Sequence, residues 1–360
     1  MDLILLAALT VAPLSPGGSV GGGRPQASDL SPSADTSSAD GGSFAWGTYD
    51  GPEGSRRYKL YVPTRRDGTK GTRLIVMLHG CTQDPDDIAR GTRMNELARR
   101  DGFLVLYPEQ PASAQPLKCW TWYDKSHQQR GKGEPGIIAG MTQRVMRENE
   151  VDPNRVYLAG LSAGAAMGAI LGATYPDIYR ALALHSGIAY GLATDVSQAL
   201  GAMRTPGGAA DALGSTVTTA MGDRKRVMSV LIVQGTVDAS VNQANGPLLA
   251  AQWASANGLG TAKAEAVKEG KPNKEPKTKQ KRNEEKTGLS AKVGGPPAYS
   301  VVRSVYSAAN GPPMVDLWMI QGLGHAWSGG SKEGTFTDER GPDVSSAIVS
   351  FFKSTENSGR

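Results

Sequence analysis

An α/β fold, with a mostly parallel central sheet covered by helices on both faces, is what this chain predicts, on three observations. Short apolar runs of strand length alternate along it with segments of helix length. Several of those runs are continuously apolar, as strands buried on both faces of a parallel sheet are. The residues with the most chemical potential stand just beyond the ends of such runs, where open parallel sheets present their sites.

In chain order, residues 74–78 (LIVML) form a continuous apolar strand that runs into His79-Gly80-Cys81-Thr82-Gln83. Residues 84–100 read as a helix, with acidic residues at its start, where the helix dipole is positive, and Gly102 just past its end. The run FLVLY at 103–107 is the next buried strand. A helix over 135–150 follows, with Pro135 in its first turn, where the missing N–H has no intrahelical partner to lose. Residues 155–159 form a strand that enters Gly160-Leu161-Ser162-Ala163-Gly164, and the small-residue run 165–175 leaves it as a helix. Strands at 181–184, 226–234 (RVMSVLIVQ) and 315–320 (VDLWMI), and a closing helix over 343–354, complete the alternation.

The G-x-S-x-G pentapeptide carries weight only through this context. With glycine at 46 of 360 positions, the pattern arises by chance about 0.5 times in such a chain. A strand that must turn at once into a helix, however, forces the residue between them into a strained conformation, and flanking glycines keep side chains out of the turn. Ser162 Oγ then projects outward as the candidate nucleophile. Asp238 lies just past the strand 226–234 and His325 just past the strand 315–320. Serine, aspartate, histidine is the chain order of the α/β-hydrolase triad. A serine hydroxyl is a poor nucleophile near neutral pH; His325 would take its proton, and Asp238 would hold the imidazole tautomer and stabilise the imidazolium. The turn His79-Gly80-Cys81 stands where such folds offer one backbone N–H to an oxyanion, the second coming from the residue after the nucleophile. The Cys81 and Ala163 amides are therefore the expected oxyanion hole.

The other histidines have lesser roles. His185 follows the strand next to the nucleophile helix and reads as structural, His79 belongs to the oxyanion turn, and His127 sits in a polar loop. Cys81 and Cys119, the chain's two cysteines, are either a disulfide, as an oxidising compartment allows, or two buried thiols. A bridge closing that loop would stabilise by roughly 4 kcal/mol on the chain-entropy estimate. No Cys/His spacing of a metal site is present, and neither metal nor cofactor is expected. Trp120, Trp122, Tyr123 and Trp327 are expected either to wall an acyl or alcohol pocket or to serve as loop packing.

These motifs together resemble the single-domain esterases of the polyhydroxybutyrate depolymerase family, α/β-hydrolases related to feruloyl and acetylxylan esterases. The residues that carry the resemblance are 58–62 (YKLYV), 78–83 (LHGCTQ), 91–95 (GTRMN), Tyr107-Pro108-Glu109-Gln110, Cys119-Trp120-Thr121-Trp122-Tyr123, the elbow with Ala165-Ala166-Met167, His185-Ser186-Gly187 and Gly324-His325-Ala326-Trp327-Ser328-Gly329-Gly330. It spans nearly everything from Gly47 to Phe352 apart from one insert. It implies Ser162, Asp238 and His325 as the triad and a Cys81 to Cys119 bridge beside the oxyanion hole. Gln234 departs from the family pattern, which usually has a histidine there, and is expected not to touch the chemistry.

The tails and the insert frame a domain organisation: residues 1–45 as an apolar stretch and low-complexity linker, and 46–360 as the catalytic domain with a basic disordered insert at about 262–295. The stretch 3–14 is too short to span a bilayer and resembles a signal peptide, although Asp2 stands where a basic residue belongs. A secreted or periplasmic protein is the expectation, a cytoplasmic one the alternative. Residues 263–292 hold ten Lys/Arg against five Glu, which equals the formal charge of +5 of the whole chain, so the catalytic body is near neutral. A stretch so polar cannot bury enough surface to fold alone. No nucleic-acid signature, membrane span or obligate protein partner accompanies it.

The expected activity is that of a serine carboxylic-ester hydrolase working through an acyl-enzyme on short-chain hydroxyalkanoate oligomers or similar small esters. Solid-polymer depolymerases usually carry a separate surface-binding domain, and the chain stops soon after Phe352; soluble oligoesters are the expected substrates. A feruloyl or acetylxylan esterase is one alternative and a noncatalytic binding relative another. Trypsin is expected to cut within residues 263–292 first and to leave activity on a soluble ester intact; resistance of that stretch would show it docked or folded.

Overall fold

The computed structural model describes residues 42–67, 71–259, 299–308 and 313–356. Strands β1 (Ser43–Gly51), β2 (Gly54–Val62), β3 (Thr72–Leu78), β4 (Leu104–Pro108), β5 (Val151–Leu161), β6 (Ala181–His185), β7 (Ser229–Gly235), β8 (Val301–Ser307) and β9 (Pro313–Ile320) form one sheet in the order β1-β2-β4-β3-β5-β6-β7-β9-β8. The run from β4 to β9 is parallel throughout. Antiparallel pairs, β1 with β2, β2 with β4 and β8 with β9, sit at the two edges.

Helices cover both faces: α1 (Pro85–Thr92), α2 (Met94–Asp101), α3 (Gly133–Glu148), α4 (Ala163–Thr174), α5 (Val196–Arg204), α6 (Ala210–Met221), α7 (Asn245–Ala256) and α8 (Val344–Glu356). All seven residues of β3 are buried. Leu74, Val76 and Leu78 pack with Ile138 of α3, Ala166 of α4 and Leu249 of α7. Ile75 and Met77 point the other way, to Ile88 of α1, Met94 of α2 and Phe352 of α8. The two-residue period of a strand with both sides buried thus explains why its sequence is apolar without alternation.

One expected helix is two. The segment 84–100 breaks at Arg93, whose φ of 55° is left-handed and caps α1 while opening α2. The break frees two carbonyls from the helical ladder: Gly91 O accepts from Ser331 N at 2.8 Å and Thr92 O from Ser345 Oγ at 2.6 Å. The corner is thereby tied to the segment that follows His325. The sheet begins at Ser43, ahead of the expected boundary at 46, because Ser43, Phe44 and Ala45 pair with Val62, Tyr61 and Leu60. The apolar N-terminal stretch and the basic insert at 262–295 lie outside the described residues. Among the described residues, no helix is long and apolar enough to cross a membrane.

Candidate active site

Ser162 sits between β5 and α4 with φ 58° and ψ −120°, a conformation that costs a non-glycine residue on the order of 1–3 kcal/mol. Neighbouring atoms over-determine it. Ser162 N donates to His185 O at the end of β6 at 2.9 Å. A Cβ on Gly160 would lie 2.5 Å from Gly164 C, and one on Gly164 would lie 2.3 Å from Leu78 O. No side chain fits at either position, so the turn can pass this close to β3 only with glycine.

Asp238 follows β7 and His325 follows β9, both beyond the C-terminal ends of parallel strands. The Ser162 hydroxyl donates to His325 Nε2 at 2.9 Å, and His325 Nδ1–H donates to Asp238 Oδ2 at 2.8 Å. Residues 76 and 87 positions apart in the chain are thus joined in one line of hydrogen bonds. Asp238 Oδ1 accepts from the Ser240 and Val241 amides at 2.9 and 2.8 Å. Burial alone would raise the Asp238 carboxyl, but the hydrogen bond and charge of His325, the Val241 amide and the Ser186 hydroxyl outweigh it and hold it below the usual range.

The turn after β3 is clamped from several sides. His79 is fully buried, its Nδ1 donating to Gly80 O at 2.8 Å while Nε2 accepts from Gln110 N at 3.0 Å. Gln83 Oε1 accepts from Gly80 N at 2.9 Å, and Gln83 Nε2 donates to Asp87 Oδ2 at 2.9 Å and Thr335 O at 3.0 Å. Gln83 therefore links the turn to the segment after His325. Cys81 and Cys119 form a disulfide, and Thr82 N donates to Leu117 O beside it at 2.6 Å. With Gly80 N taken by Gln83, the Cys81 and Ala163 amides keep no acceptor among the described residues. Both residues line the same cavity as Ser162 and His325.

That cavity has a volume of about 280 Å³, near the lower end for small-molecule sites. Leu117, Trp122, Tyr123, Ile188, Leu200, Met203, Val241 and Phe336 make its apolar walls. Of the four aromatic residues expected there, Trp122 and Tyr123 line it and Trp120 and Trp327 do not. Trp120 is fully buried beneath the His79-Gly80-Cys81 turn, its Nε1 donating to His79 O at 3.1 Å. Trp327 is fully buried with its Nε1 on Ser345 Oγ and its ring stacked on His185. A buried indole N–H usually finds a partner, and here His79 O and Ser345 Oγ supply one to each ring away from the cavity.

Gln234 lies against Asp238. It is completely buried and donates from Nε2 to Asp238 Oδ2 at 3.3 Å, as well as to Val241 O and Gly235 O. Gln234, where the resemblance leads one to expect a histidine, is thus in contact with the Asp238 carboxylate. His185 is buried away from the cavity: Nε2 accepts from Ser328 N at 3.3 Å, which leaves the proton on Nδ1, 3.2 Å from Ser186 Oγ.

Burial lowers His79 to about 4 and His185 to about 3, the latter with a smaller contribution from His325. Both are neutral when folded, whereas an unfolded chain protonates them near 6.5. The unfolded state therefore binds more protons between these values, and the stability they confer is complete above pH 6.5 and lost as pH falls toward 4 and 3. The thermal midpoint, measured from pH 7 down to 4, is expected to fall steadily, each histidine contributing about a few kcal/mol. A flat profile would contradict the neutral assignment.

Among the described residues, no group of His, Cys, Asp and Glu is arranged to hold a metal ion. The sheet with its flanking helices, and this line of serine, histidine and aspartate beyond the strand ends, are those of an α/β-hydrolase. Residues 56–276 match the family described as "Esterase PHB depolymerase", and the chain belongs to that family. It is 29% identical over 257 residues to poly(3-hydroxyalkanoate) depolymerase C of Paucimonas lemoignei, covering 70% of this chain and 54% of the relative. It is 35% identical over 147 residues to feruloyl esterase B of Neurospora crassa, covering 40% and 47%. The chain thus spans about half the length of these relatives. An acetyl xylan esterase structure from Aspergillus awamori superposes with a TM-score of 0.63 at 18% identity, over 86% of this chain and 99% of that one, and shows the shared fold.

Proposed function

We propose that the protein hydrolyses carboxylic esters through a Ser162 acyl-enzyme, and that its substrates are short-chain hydroxyalkanoate oligomers or similar small esters. The observation that carries this is the continuous Asp238–His325–Ser162 hydrogen-bond line at the wall of an apolar cavity. As Ser162 Oγ bonds to the ester carbon, its proton passes to His325 Nε2, and the carbonyl oxygen becomes an oxyanion held by the Cys81 and Ala163 amides. Collapse breaks the ester C–O bond, and His325 returns the proton to the departing alkoxide. Water, deprotonated by the same imidazole, then attacks the acyl-enzyme and releases a carboxylic acid and Ser162.

The likeness to poly(3-hydroxyalkanoate) depolymerase C supports oligoester substrates, and that to feruloyl esterase B supports a second reading as an aryl-ester or acetylxylan esterase. Assays of a hydroxybutyrate oligomer beside a cinnamate ester and acetylated xylan, followed by a screen of chain lengths, separate them. No hydrolysis of any of these would overturn the proposal.

The bridge between Cys81 and Cys119 anchors one proposed donor, and a donor displaced by about 1 Å costs roughly 10²-fold in rate. Cys119→Ser, or reduction, is therefore expected to lower kcat more than it raises KM and to lower the melting temperature. Equal effects on both constants would place the bridge's role in stability alone. An extracellular or periplasmic location fits a disulfide of this kind.

A further inference from the structure

We propose that Arg204 receives a free carboxylate on the substrate, so that the preferred esters are hydroxy-acid oligoesters with an ionised acid end. The inference rests on the ester-hydrolase reading of the same cavity. Helix α5 forms one wall, presenting Ala199, Leu200, Met203 and Arg204, positions that share one helical face. Its end, next to Arg204, is tied to the loop that carries Asp238: Met203 O accepts from Asn242 N at 2.8 Å and Ala202 O from Asn245 Nδ2 at 3.0 Å.

The charge environment is what points to a ligand. Arg204 is exposed, and its guanidinium has no hydrogen-bond or ion-pair partner among the described residues, whereas Arg57, Arg130, Arg155 and Arg340 each hold a carboxylate. No Asp or Glu lines the cavity, and Arg204 is its one Lys or Arg among the described residues. A basic residue in a last helical turn complements the dipole wherever it points; the dipole does not account for a place on the wall of an apolar cavity. A planar guanidinium binds a carboxylate through two parallel N–H···O bonds. An oligoester of a hydroxy acid has one carboxylate, at its acid end, ionised at neutral pH. Esters blocked at both ends offer Arg204 nothing.

The test compares kcat/KM for the 3-hydroxybutyrate trimer as the free acid and as its methyl ester. Charge-assisted hydrogen bonds predict that wild type favours the free acid by about 10- to 100-fold. Arg204→Gln is expected to bring that ratio to about 1, with the loss in KM, and Arg204→Lys to keep part of it; added salt should reduce the wild-type ratio. A wild-type ratio near 1, or the same ratio in Arg204→Gln, overturns the proposal. Calorimetry gives a second arm that needs no turnover: Ser162→Ala protein should bind the hydroxybutyrate dimer acid at least 10-fold more tightly than the Ser162→Ala, Arg204→Gln protein. Were neither trimer form hydrolysed, the ester-hydrolase reading would fail, and the calorimetric comparison would still decide whether Arg204 binds the acid.

Discussion

Ser162→Ala is expected to abolish hydrolysis of every ester that the wild-type protein cleaves, a loss on the order of 10⁴-fold or more, while the fold survives. The proposed nucleophile is the Ser162 hydroxyl, which lies at the cavity wall 2.9 Å from His325 Nε2. It caps no helix, since the α4 N-terminus draws no hydrogen bond from that side chain. Alanine shares the positive-φ penalty of serine, so thermal stability should change little. A fluorophosphonate probe should label Ser162 in the wild type and nothing in the variant. Full activity in Ser162→Ala would sink the nucleophile assignment.

The two histidines near the elbow separate base from scaffold. His325→Ala is expected to lower kcat by on the order of 10³-fold or more, because it removes both the acceptor of the serine proton and the donor to Asp238. His185→Ala should act mainly on stability. Its ring is fully buried, stacked on Trp327 and bonded to Ser328 N, so its loss leaves a cavity and an unpaired amide, at a cost of about 2–5 kcal/mol. Kinetics and thermal melts on the two variants decide the matter. The opposite pattern, with His185→Ala inactive and His325→Ala merely unstable, would reassign the base.

Legibility in the sequence followed locality. The elbow was readable because a strand, a strained serine and a helix lie within one short stretch, and the two glycines it requires are visible as letters. Asp238 and His325 were readable because each directly follows an apolar strand, and parallel strands deliver their ends to one edge of the sheet. The edge strands β1 and β8 and the helices α5, α6 and α7 gave no such signal. Arg93 showed no sign of ending a helix, because the reason for the break is the pair of carbonyls taken by Ser331 and Ser345, more than 200 positions away.

What the sequence by itself determined is the alternation of strands and helices, the order of the three candidate catalytic residues, and the turn expected to offer one of the two oxyanion donors. Tertiary structure alone decided which side chains make the cavity. Trp120 and Trp122 stand two positions apart in one motif, yet the first is drawn under the turn by His79 O and the second faces the cavity. The wall that holds Arg204 belongs to a helix with no catalytic motif, and the link from Gly80 through Gln83 to Thr335 joins segments 252 residues apart. The division has a physical cause: backbone turns and strand ends are dictated by neighbours in the chain, whereas the direction a side chain takes is settled by whichever acceptors and apolar surfaces the fold brings to it from elsewhere.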